Sequence, residues 1–486
     1  MKKNGYLFFL FSILFLTLSS CRKDFDFEPL NHSLVLSKDT IFLDTIFTNT
    51  STTVQRLKVY NKSNKNISIH SVRLANGMSS DYQLIVDGLA GKQFSNVEIL
   101  AKDSLAIFIS AHVKGNNTNS DYLYTDQILF SGQSKTQKVE LVTLAKDAVL
   151  LYPKKTKDGR SEQLQITKET KVTGFVLNKE TLQLNATKPY VIYGYAVVPE
   201  NKKLTIAPGT TLYFHSKSGL IAQPNSTIEA IGTIEKPIVM RSNRIQEAQR
   251  YTTGLWNGIW LNNTSNSILD HVILTNAYNG IFVDGVSNLT LNSVQIYNSE
   301  NTGLFARNST INATNTVIGT ALRTSLSLNA SGDYTFTHCT IANFSNRPDQ
   351  KAVQLIGSSN SSFKQINFSN SLIYSNLTSS LAIQKELLTS QNLLFYSNVI
   401  RDLSTDQEIY TNQNIFQSNV ILNNRQAATL YFANSAKNNL AITDQNSLII
   451  GKAAVEIAKK APIDITGKSR INAPDYGAYQ YVPSLK

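Results

Sequence analysis

The feature that most constrains the fold of this chain is a repeat in its second half. Four residues set the repeat, and they stand 22, 22 and 23 positions apart: Val272, Val294, Thr316 and Cys339. Two positions further on, the same register carries aliphatic side chains: Leu274, Ile296, Ile318 and Ile341. A short fixed period predicts a chain that coils, with each repeat stacked on the previous one and unable to fold without it.

The register continues toward the carboxyl end with uneven steps. Steps of 32, 27, 21 and 28 residues lead from Ile341 through Ile373, Ile400, Ile421 and Ile449, which predicts inserted loops. A column of mostly polar residues lies four positions after the residue that begins each repeat. It contains Asn276, Asn298, Thr320, Asn343, Ser375, Asp402, Asn423 and Gly451. We expect Asn276, Asn298 and Asn343 to form side-chain amide hydrogen bonds along the coil axis.

Each repeat contains three short segments with strand character. In one repeat they are residues 289–291, 294–296 and 303–306, which alternate between apolar and other side chains. Three strands per repeat predict three parallel sheets, with equivalent strands about 4.8 Å apart. About ten turns would give an axis of roughly 50 Å.

A leucine-rich repeat is the alternative architecture. Its strand consensus is loosely matched by four residues: Leu269, Val272, Leu274 and Asn276. That fold needs a helix or tight turn on its convex side, whereas residues 280–283 and 303–306 alternate as strands. The pattern therefore favours the three-stranded coil.

A series of motifs before these repeats is more specific than any single motif. LTIAPGTTLYF at 204–214 is followed in order by GLIA at 219–222, KPIVM at 236–240 and WNGIW at 256–260. This order resembles the entry turns of right-handed parallel β-helices of the pectin-lyase-like class. The resemblance extends over about residues 189–486 and implies a right-handed three-sheet β-helix.

The carboxyl end has the features of a cap. Residues 453–461 predict one short helix, which Pro462 ends. DITGKSRINAPDYGAYQY at 464–481 resembles the closing segment of many surface-anchored β-helix proteins. An uncapped coil would expose unpaired strand edges and apolar core groups. We expect Asp464 and Arg470 to form a structural pair in this cap.

The first part of the chain has a different rhythm. Residues 31–150 contain brief alternating runs, such as Leu57 with Val59, that recur roughly every ten residues between polar turns. This pattern predicts a β-sandwich. The strand rhythm and the turn Val59-Tyr60-Asn61 resemble immunoglobulin-like modules of the Hydin type, for which we expect a spacing or docking role.

The amino terminus has the pattern of a secretion signal. Lys2 and Lys3 precede an apolar run at 6–17, and Leu18-Ser19-Ser20-Cys21 follows at the cleavage position. This segment resembles a bacterial lipoprotein signal with its lipobox, which implies that Cys21 is lipidated and becomes the first mature residue. The attached acyl chains would anchor the protein without a membrane-spanning helix. The resemblance implies a cell-envelope location, at the outer membrane of a Gram-negative bacterium.

These indications predict an all-β protein: a β-sandwich followed by a right-handed three-sheet parallel β-helix with a carboxyl-terminal cap. The predicted division is a signal peptide at 1–20, a tether at 21–30, the sandwich at 31–150, a linker and lead-in at 151–188, the β-helix at 189–460 and the cap at 461–486.

Composition narrows the class of ligand. The two cysteines, Cys21 and Cys339, exclude a disulfide framework and a cysteine zinc site. Lys and Arg number 46 against 34 Asp and Glu, a net charge of +12 that becomes +10 when Lys2 and Lys3 are removed. This excess favours anionic polysaccharides. No compact basic patch stands out, so we expect no nucleic-acid partner, and a protein partner remains open.

Catalytic residues are sparse in the repeats. Related lyases are expected to use an acidic calcium cluster with an Arg or Lys base, and related hydrolases several Asp residues. Between residues 256 and 343 the acidic residues are few: Asp270, Asp284, Glu300 and Asp333. Asp284 and Arg307 are the catalytic candidates, although an exposed turn salt bridge is the favoured interpretation.

Metal binding has no clear candidate in the sequence. His271 and His338 each precede an aligned strand, three turns apart, so we expect turn residues and not a metal pair. We expect no metal and no cofactor, with calcium relevant only to a lyase.

Aromatic residues are the candidates for binding sugar rings. Trp256 and Trp260 cluster near the first turns, and Tyr278 and Tyr297 recur near one corner of the coil. Exposed rings pack against the apolar faces of sugars. We expect a cell-envelope lipoprotein whose β-helix recognises polysaccharide or another surface component without catalysis. The alternatives are a polysaccharide lyase or glycoside hydrolase acting on acidic glycans, and an adhesion or docking subunit of an outer-membrane complex.

Overall fold

The chain divides into two compact units, Met1–Asp147 and Ala148–Lys486. The computed structural model describes residues 26–481 apart from eight gaps: 116–120, 330, 358–363, 390, 405–406, 424–429, 431 and 444–447. The predicted signal peptide and the lipidation residue Cys21 lie outside the described residues. Within the described ranges, no helix is both long and apolar enough to cross a membrane.

The first unit consists of two mostly antiparallel sheets. The seven-stranded sheet contains Glu28–Pro29, Thr40–Phe42, Ile46–Phe47, Ile67–Leu74, Gln93–Ile99, Tyr122–Ser131 and Thr136–Lys146. The five-stranded sheet contains Val35–Leu36, Gln55–Tyr60, Tyr82–Val86, Leu89–Gly91 and Ser104–Ala111. A 3-10 turn spans Gly77–Ser79.

Alternate side chains of both sheets form one apolar core. Leu57 and Val59 from one sheet and Ile69 and Ile128 from the other are fully buried in the same cluster. The predicted turn at Asn61 also contributes, because its buried side-chain amide donates to the carbonyls of Lys65 and Leu100 at 2.7 and 2.9 Å. The period-two pattern therefore identified the inward-facing positions.

The second unit is a coil of three sheets whose successive turns pair in parallel, apart from Gln163–Gln165, which pairs antiparallel with Lys171–Val176. Sheet 1 contains Val149–Leu151, Tyr190–Ile192, Thr211–Phe214, Ile238–Ser242, Val272–Thr275, Gln295–Tyr297, Val317–Ile318, Thr340–Asn343, Leu372–Ser375, Val399–Arg401 and Val420–Leu422. Sheet 2 contains Gln163–Gln165, Lys171–Val176, Tyr195–Val198, Gly219–Ala222, Gly258–Asn262, Asn279–Asp284, Thr302–Ala306, Thr324–Asn329, Lys351–Ile356 and Leu381–Ile383. Sheet 3 contains Gln183–Leu184, Lys203–Ile206, Thr227–Ile231, Asn266–Asp270, Asn288–Asn292, Thr310–Thr314, Asp333–Thr337, Gln365–Ser369, Leu393–Tyr396 and Phe416–Gln417.

Few elements lie outside these sheets in the described part of the second unit. They are the 3-10 turns Glu247–Gln249, Lys385–Leu387, Glu408–Thr411 and Ser435–Lys437, the hairpin of Phe432–Asn434 with Asn439–Ile442, and the short α-helix Val455–Ala458. The helix lies within the predicted segment 453–461. The predicted lead-in, 151–188, contains the first strands of sheets 2 and 3.

The predicted aliphatic column is confirmed by strand register. Leu274 pairs with Ile296, which pairs with Ile318, and the column continues through Ile341, Ile373, Ile400 and Ile421. All but Ile421 are fully buried. Burying each such side chain contributes about 1.5–3 kcal/mol, and each needs the turns above and below to exclude water.

A second interior column is aromatic. The rings of Phe336, Phe368, Phe395 and Phe416 on sheet 3 stack with centroid separations of 5.0, 4.9 and 5.0 Å. Their sequence steps of 32, 27 and 21 residues equal those of the aliphatic column. The inserted loops therefore leave the strand register intact.

The corner from sheet 3 to sheet 1 has a left-handed residue on each of seven successive turns. Seven successive turns place one residue there with φ between 47° and 55°: His271, Ser293, Asn315, His338, Asn370, Ser397 and Ser418. Asn and His adopt this conformation more readily than most residues. At the corner from sheet 1 to sheet 2 the turns approach closely, because a Cβ on Gly280 would lie 2.3 Å from the Gly303 carbonyl oxygen.

Two predictions about the columns are wrong. The asparagines do not form a continuous ladder, because Asn276 donates to the carbonyls of Arg250 and Thr252, and Asn343 donates to that of Lys351. The Nδ2 of Asn298 has no partner within the described residues. Ile449 and Gly451 also do not continue the coil: Ile449 belongs to a separate apolar cluster, described next.

The carboxyl-terminal residues pack on the outer face of sheet 1. Outward side chains of sheet 1 share an apolar cluster with residues from beyond the coil: Tyr297, Val317, Ala342, Leu372, Val399, Leu440, Ile442, Ile449, Ile465, Tyr476 and Ala478. Hydrogen bonds fix this segment. The Asn315 amide donates to the Ile463 carbonyl at 2.8 Å, and the Ala478 N–H donates to the Thr340 hydroxyl at 2.9 Å.

The expected pair in the cap is not a direct ion pair. Buried Arg470 donates to the carbonyls of Gly477 and Ala478 at 3.1 and 3.2 Å, while the Asp464 carboxylate accepts backbone N–H groups, including that of Gln480 at 2.7 Å. Burial lowers the pKa of Arg470 to about 10. The two charges thus organise the loop of the cap by binding its backbone.

Gly477 provides a test of how the carboxyl-terminal segment is held. Its φ is +88°, and a Cβ there would lie 2.5 Å from the Thr340 hydroxyl oxygen. We expect Gly477→Ala to combine a backbone cost of roughly 1–2 kcal/mol with this clash, and to release the segment locally. Amide hydrogen exchange should then rise by about tenfold or more over residues 449–481.

Gly159→Ala is the matched control, since Gly159 has a φ of +78° but nothing within 4 Å of the added Cβ. Equal protection of residues 449–481 in Gly477→Ala and wild type would contradict the close approach at Thr340.

Candidate functional site

Three aromatic side chains form a column on the outer face of sheet 2. Trp260, Phe282 and Phe305 occupy equivalent positions on consecutive turns. They point outward because their neighbours on each strand, such as Ile281 and Val283, are buried in the core. The ring centroids are 5.8 Å apart from Trp260 to Phe282 and 5.3 Å apart from Phe282 to Phe305. All three rings are partly exposed. We refer to this set as the aromatic column.

A polar column runs beside the aromatic column, two residues further along each strand. It contains Asn262, Asp284, Arg307 and Asn329 on four consecutive turns. Arg307 donates from Nε and Nη2 to the two Asp284 oxygens at 2.5 and 2.9 Å. Its guanidinium carbon also lies 5.4 Å from the centre of the Phe282 ring. This bidentate pairing raises the pKa of Arg307. The predicted catalytic candidates therefore form the salt bridge that the sequence favoured.

The aromatic column has a closed end and a polar end. At its amino end a cluster of apolar side chains packs with Trp260, and much of it comes from the hairpin at 163–176: Leu164, Ile166, Val172, Val197 and Ile221. At its carboxyl end the next equivalent positions are Ser327 and Gln354. The three rings therefore form a surface strip about three turns long, with apolar neighbours at its amino end and polar neighbours at its carboxyl end.

The four predicted sugar-binding residues have different surroundings. Trp256 is fully buried, stacked at 4.0 Å on Phe214, and donates from Nε1 to the Thr275 carbonyl at 2.8 Å. Tyr297 is buried under the carboxyl-terminal segment. The prediction that Trp256 and Tyr297 bind sugar at the surface is therefore wrong, because both side chains are buried in the packing of the protein. Trp260 is in the aromatic column, and Tyr278 is 45% exposed on the corner before sheet 2.

Phe282 is the central residue of the site, and the sequence reasoning missed it as a binding candidate. Its signal was present, because Phe282 stands 22 residues after Trp260 and 23 before Phe305, the same steps as the repeat. The alternation within residues 280–284 also assigns it to the outer face. Register arithmetic, applied to outward as well as inward positions, finds the column.

The face does not fit a calcium-dependent or multi-carboxylate site. Asp284 is the one acidic residue in the described strands of sheet 2, and Arg307 engages both of its oxygens. Across the described ranges, no group of three or more His, Cys, Asp or Glu side chains is placed to hold a metal ion. His271 and His338 occupy the left-handed corner on separate turns.

Two family models match the second unit. The description of the first is a right handed beta helix region, matched over residues 279–469, and that of the second is a pectate-lyase like beta helix domain, matched over 176–267. With the parallel three-sheet coil, these matches identify the fold as a right-handed parallel β-helix. No curated protein matches the chain.

Solved structures give only distant likenesses. A family 123 glycoside hydrolase from Clostridium perfringens is 8% identical, with a TM-score of 0.17 over 24% of this chain and 26% of that one. The periplasmic alginate epimerase AlgG is 10% identical, with a TM-score of 0.25 over 58% and 85%. The catalytic domain of an alpha-1,3-glucanase is 12% identical, with a TM-score of 0.14 over 72% and 66%. The chain spans about a quarter of the first of these, and such TM-scores carry no functional argument.

The corner histidine His338 predicts a pH dependence of stability. It is fully buried, and burial together with the positive charge of Arg470 lowers its pKa to about 3. In the unfolded chain this imidazole binds a proton near pH 6.5. The contribution of the neutral His338 to folding stability is therefore fully present above that pH and decreases as the pH falls toward 3. At about pH 4.5 the free energy of unfolding is lower by about 2–3 kcal/mol for this reason.

We expect His338→Asn, which tolerates the φ of 49°, to reduce this loss in urea unfolding followed by tryptophan fluorescence. Both tryptophans lie in the second unit. His215→Asn, at an exposed histidine of the same unit, is the control. An unchanged pH profile in His338→Asn would contradict a neutral buried imidazole.

Proposed function

We propose that this right-handed β-helix protein binds carbohydrate on the outer face of sheet 2, without catalysing a reaction. The observation that supports the proposal is the aromatic column, in which three partly exposed rings follow one another along the axis beside a column of polar groups. Carbohydrate ligands combine C–H faces with hydroxyl groups. A strip of rings flanked by amides and a carboxylate offers a complementary partner for each.

The spacing of the column favours an extended polymer over a single sugar. The turns of the coil repeat the rings at 5.3–5.8 Å, which is comparable to the advance of one sugar residue in an extended glycan. Successive residues of the polymer would then meet equivalent protein groups. Aromatic rings contribute large apolar contact areas and specific geometry to such surfaces.

The arrangement of charge favours binding over catalysis. Hydrolysis uses two carboxyl groups on either side of the scissile bond, and lyase chemistry uses a free base. Asp284 and Arg307 are paired with each other in bidentate geometry instead. A polysaccharide lyase or glycoside hydrolase is the second candidate, and an adhesion or docking subunit is the third.

The aromatic column gives a direct test. We expect Phe282→Ala and Phe305→Ala each to weaken binding of the preferred polysaccharide by about tenfold or more, since each removes roughly 1.4 kcal/mol or more of ring contact. A glycan array identifies the polysaccharide, and isothermal titration calorimetry measures the change. Phe282→Leu, which keeps the apolar packing and removes the ring, separates loss of contact from loss of folding.

Tyr152→Ala is the matched control, because Tyr152 is an aromatic residue 65% exposed beside sheet 1. Unchanged affinity in folded Phe282→Ala would sink the proposal. If the wild-type protein released reducing ends or unsaturated products from a polysaccharide, and Asp284→Ala or Arg307→Ala did not, catalysis would replace binding as the proposed function.

We also propose that the protein is held at the cell envelope through lipid on Cys21. The lipobox-like sequence Leu18-Ser19-Ser20-Cys21 supports this proposal. The first unit, with its two sheets around one core, suits an immunoglobulin-like spacer of the Hydin type between the anchor and the β-helix. In this proposal the lipid anchor and the spacer attach the glycan-binding unit to a membrane, which we propose to be the outer membrane.

Substitution of the cysteine tests the anchor. We expect Cys21→Ser to move the protein from the membrane fraction to the soluble fraction of the envelope, because two or more acyl chains supply the membrane affinity. Metabolic labelling with a fatty-acid analogue, followed by cell fractionation, measures both effects. Ser20→Ala is a control at a small-residue position of the same motif. Label retained in Cys21→Ser would contradict the assignment.

A further inference from the structure

We infer that the glycan bound on sheet 2 is uncharged, and that the face discriminates against uronates and other anionic polymers. This inference rests on the proposed function and specifies its substrate class. It differs from the expectation drawn from net charge, under which the basic excess of the chain favours acidic polysaccharides. Three observations carry it: the engagement of Arg307, the local charge, and the groups that border the rings.

Arg307 lies beside the aromatic column, and Asp284 already balances its charge by accepting two of its five N–H groups. Two of its N–H groups are bound by Asp284 in the geometry that a sugar carboxylate would need. The Asp284 side chain is 15% exposed and that of Arg307 is 49% exposed, so the acid lies deeper and stays with its partner. A uronate that used the same two N–H groups would have to displace this carboxylate, and one that used the other three would approach a cation whose charge Asp284 already balances.

Most of the basic excess of the second unit precedes the turns that carry the rings, and it includes the hairpin at 163–176 that packs against Trp260. Residues 256–345, which include every turn of the aromatic column, contain two arginines, no lysine and four acidic residues, a net charge of −2. Residues 148–255 contain fifteen Lys and Arg and eight Asp and Glu, a net charge of +7. At physiological ionic strength charges separated by more than about 8 Å are largely screened. The charges on the turns that carry the rings therefore contribute most to what this face attracts.

The groups that border the rings suit hydroxyls and not anions. On either side of the charge pair the polar column contains the amides Asn262 and Asn329, and Ser327 and Gln354 follow the last ring. Asn329 and Gln354 are partly exposed, whereas Asn262 and Ser327 are buried. Amides and hydroxyls both donate and accept, as sugar hydroxyls do. An anion placed over the partly buried rings would lose water and would meet only Arg307, whose charge Asp284 already balances, which is unfavourable.

Matched polymers test the inference. Each uronate polymer of a panel, polygalacturonate and alginate among them, is compared with its carboxyl-reduced form, which keeps linkage and length but has no charge. Affinity electrophoresis of the full chain measures binding at about 50 and 500 mM salt. We expect neutral forms to bind about tenfold or more tightly than their uronate parents, with little effect of salt.

Tighter binding of the uronate forms, or an affinity that falls about tenfold with salt, would overturn the inference while leaving carbohydrate binding intact. Absence of binding to every polymer, charged, reduced or on the glycan array, would overturn the proposed function and this inference together.

Substitutions in the charge pair give an independent arm. Asp284→Asn keeps the shape of the carboxylate and frees Arg307, so we expect uronate binding to rise about fivefold or more. The double variant Asp284→Asn with Arg307→Gln has no cation at the pair and should lose this gain in uronate binding. Glu229→Gln is the control, because it frees Lys203 of the salt bridge on sheet 3 in the same way. No gain in Asp284→Asn beyond that of Glu229→Gln would contradict the role of the pair.

Discussion

Parallel backbone hydrogen bonding between successive turns is the interaction on which the rest of this structure depends. A strand of the coil satisfies its N–H and C=O groups only when the turns before and after it are in register. Register in turn places equivalent side chains above one another. The buried Ile column, the stacked Phe rings of sheet 3 and the outward rings of sheet 2 are three results of the same constraint.

The three outer faces of the coil have different surroundings, although the backbone of all three is alike. Sheet 1 is covered by the carboxyl-terminal segment, and sheet 2 carries the aromatic column. Sheet 3 presents short polar side chains such as the exposed Thr290 and Asn312. One periodic scaffold therefore supports a packed face, a face with a column of aromatic rings and a solvated face, and the outward residues determine the character of each face.

The sequence predicted the repeat of the coil, but it did not predict which outer face the distant carboxyl-terminal segment covers. The column from Leu274 to Ile421 follows from counting residues, because a coil repeats its register whatever its loops contain. The burial of Tyr297 and the position of Ile449 depend on a segment that folds back over more than a hundred residues of chain. Asn276 and Asn343 donate to the carbonyls of Arg250 and Lys351, and a column pattern does not reveal these partners.

The carboxyl-terminal segment changes how the coil responds to stress. In a pure solenoid each turn is coupled only to its immediate neighbours, so fraying proceeds one turn at a time. Here one stretch of chain is tied to Asn315, Thr340, Asn370 and Ser397, which belong to four consecutive turns. Opening any of these turns disturbs the others through the shared brace. The carboxyl half of the coil is thereby coupled as a block.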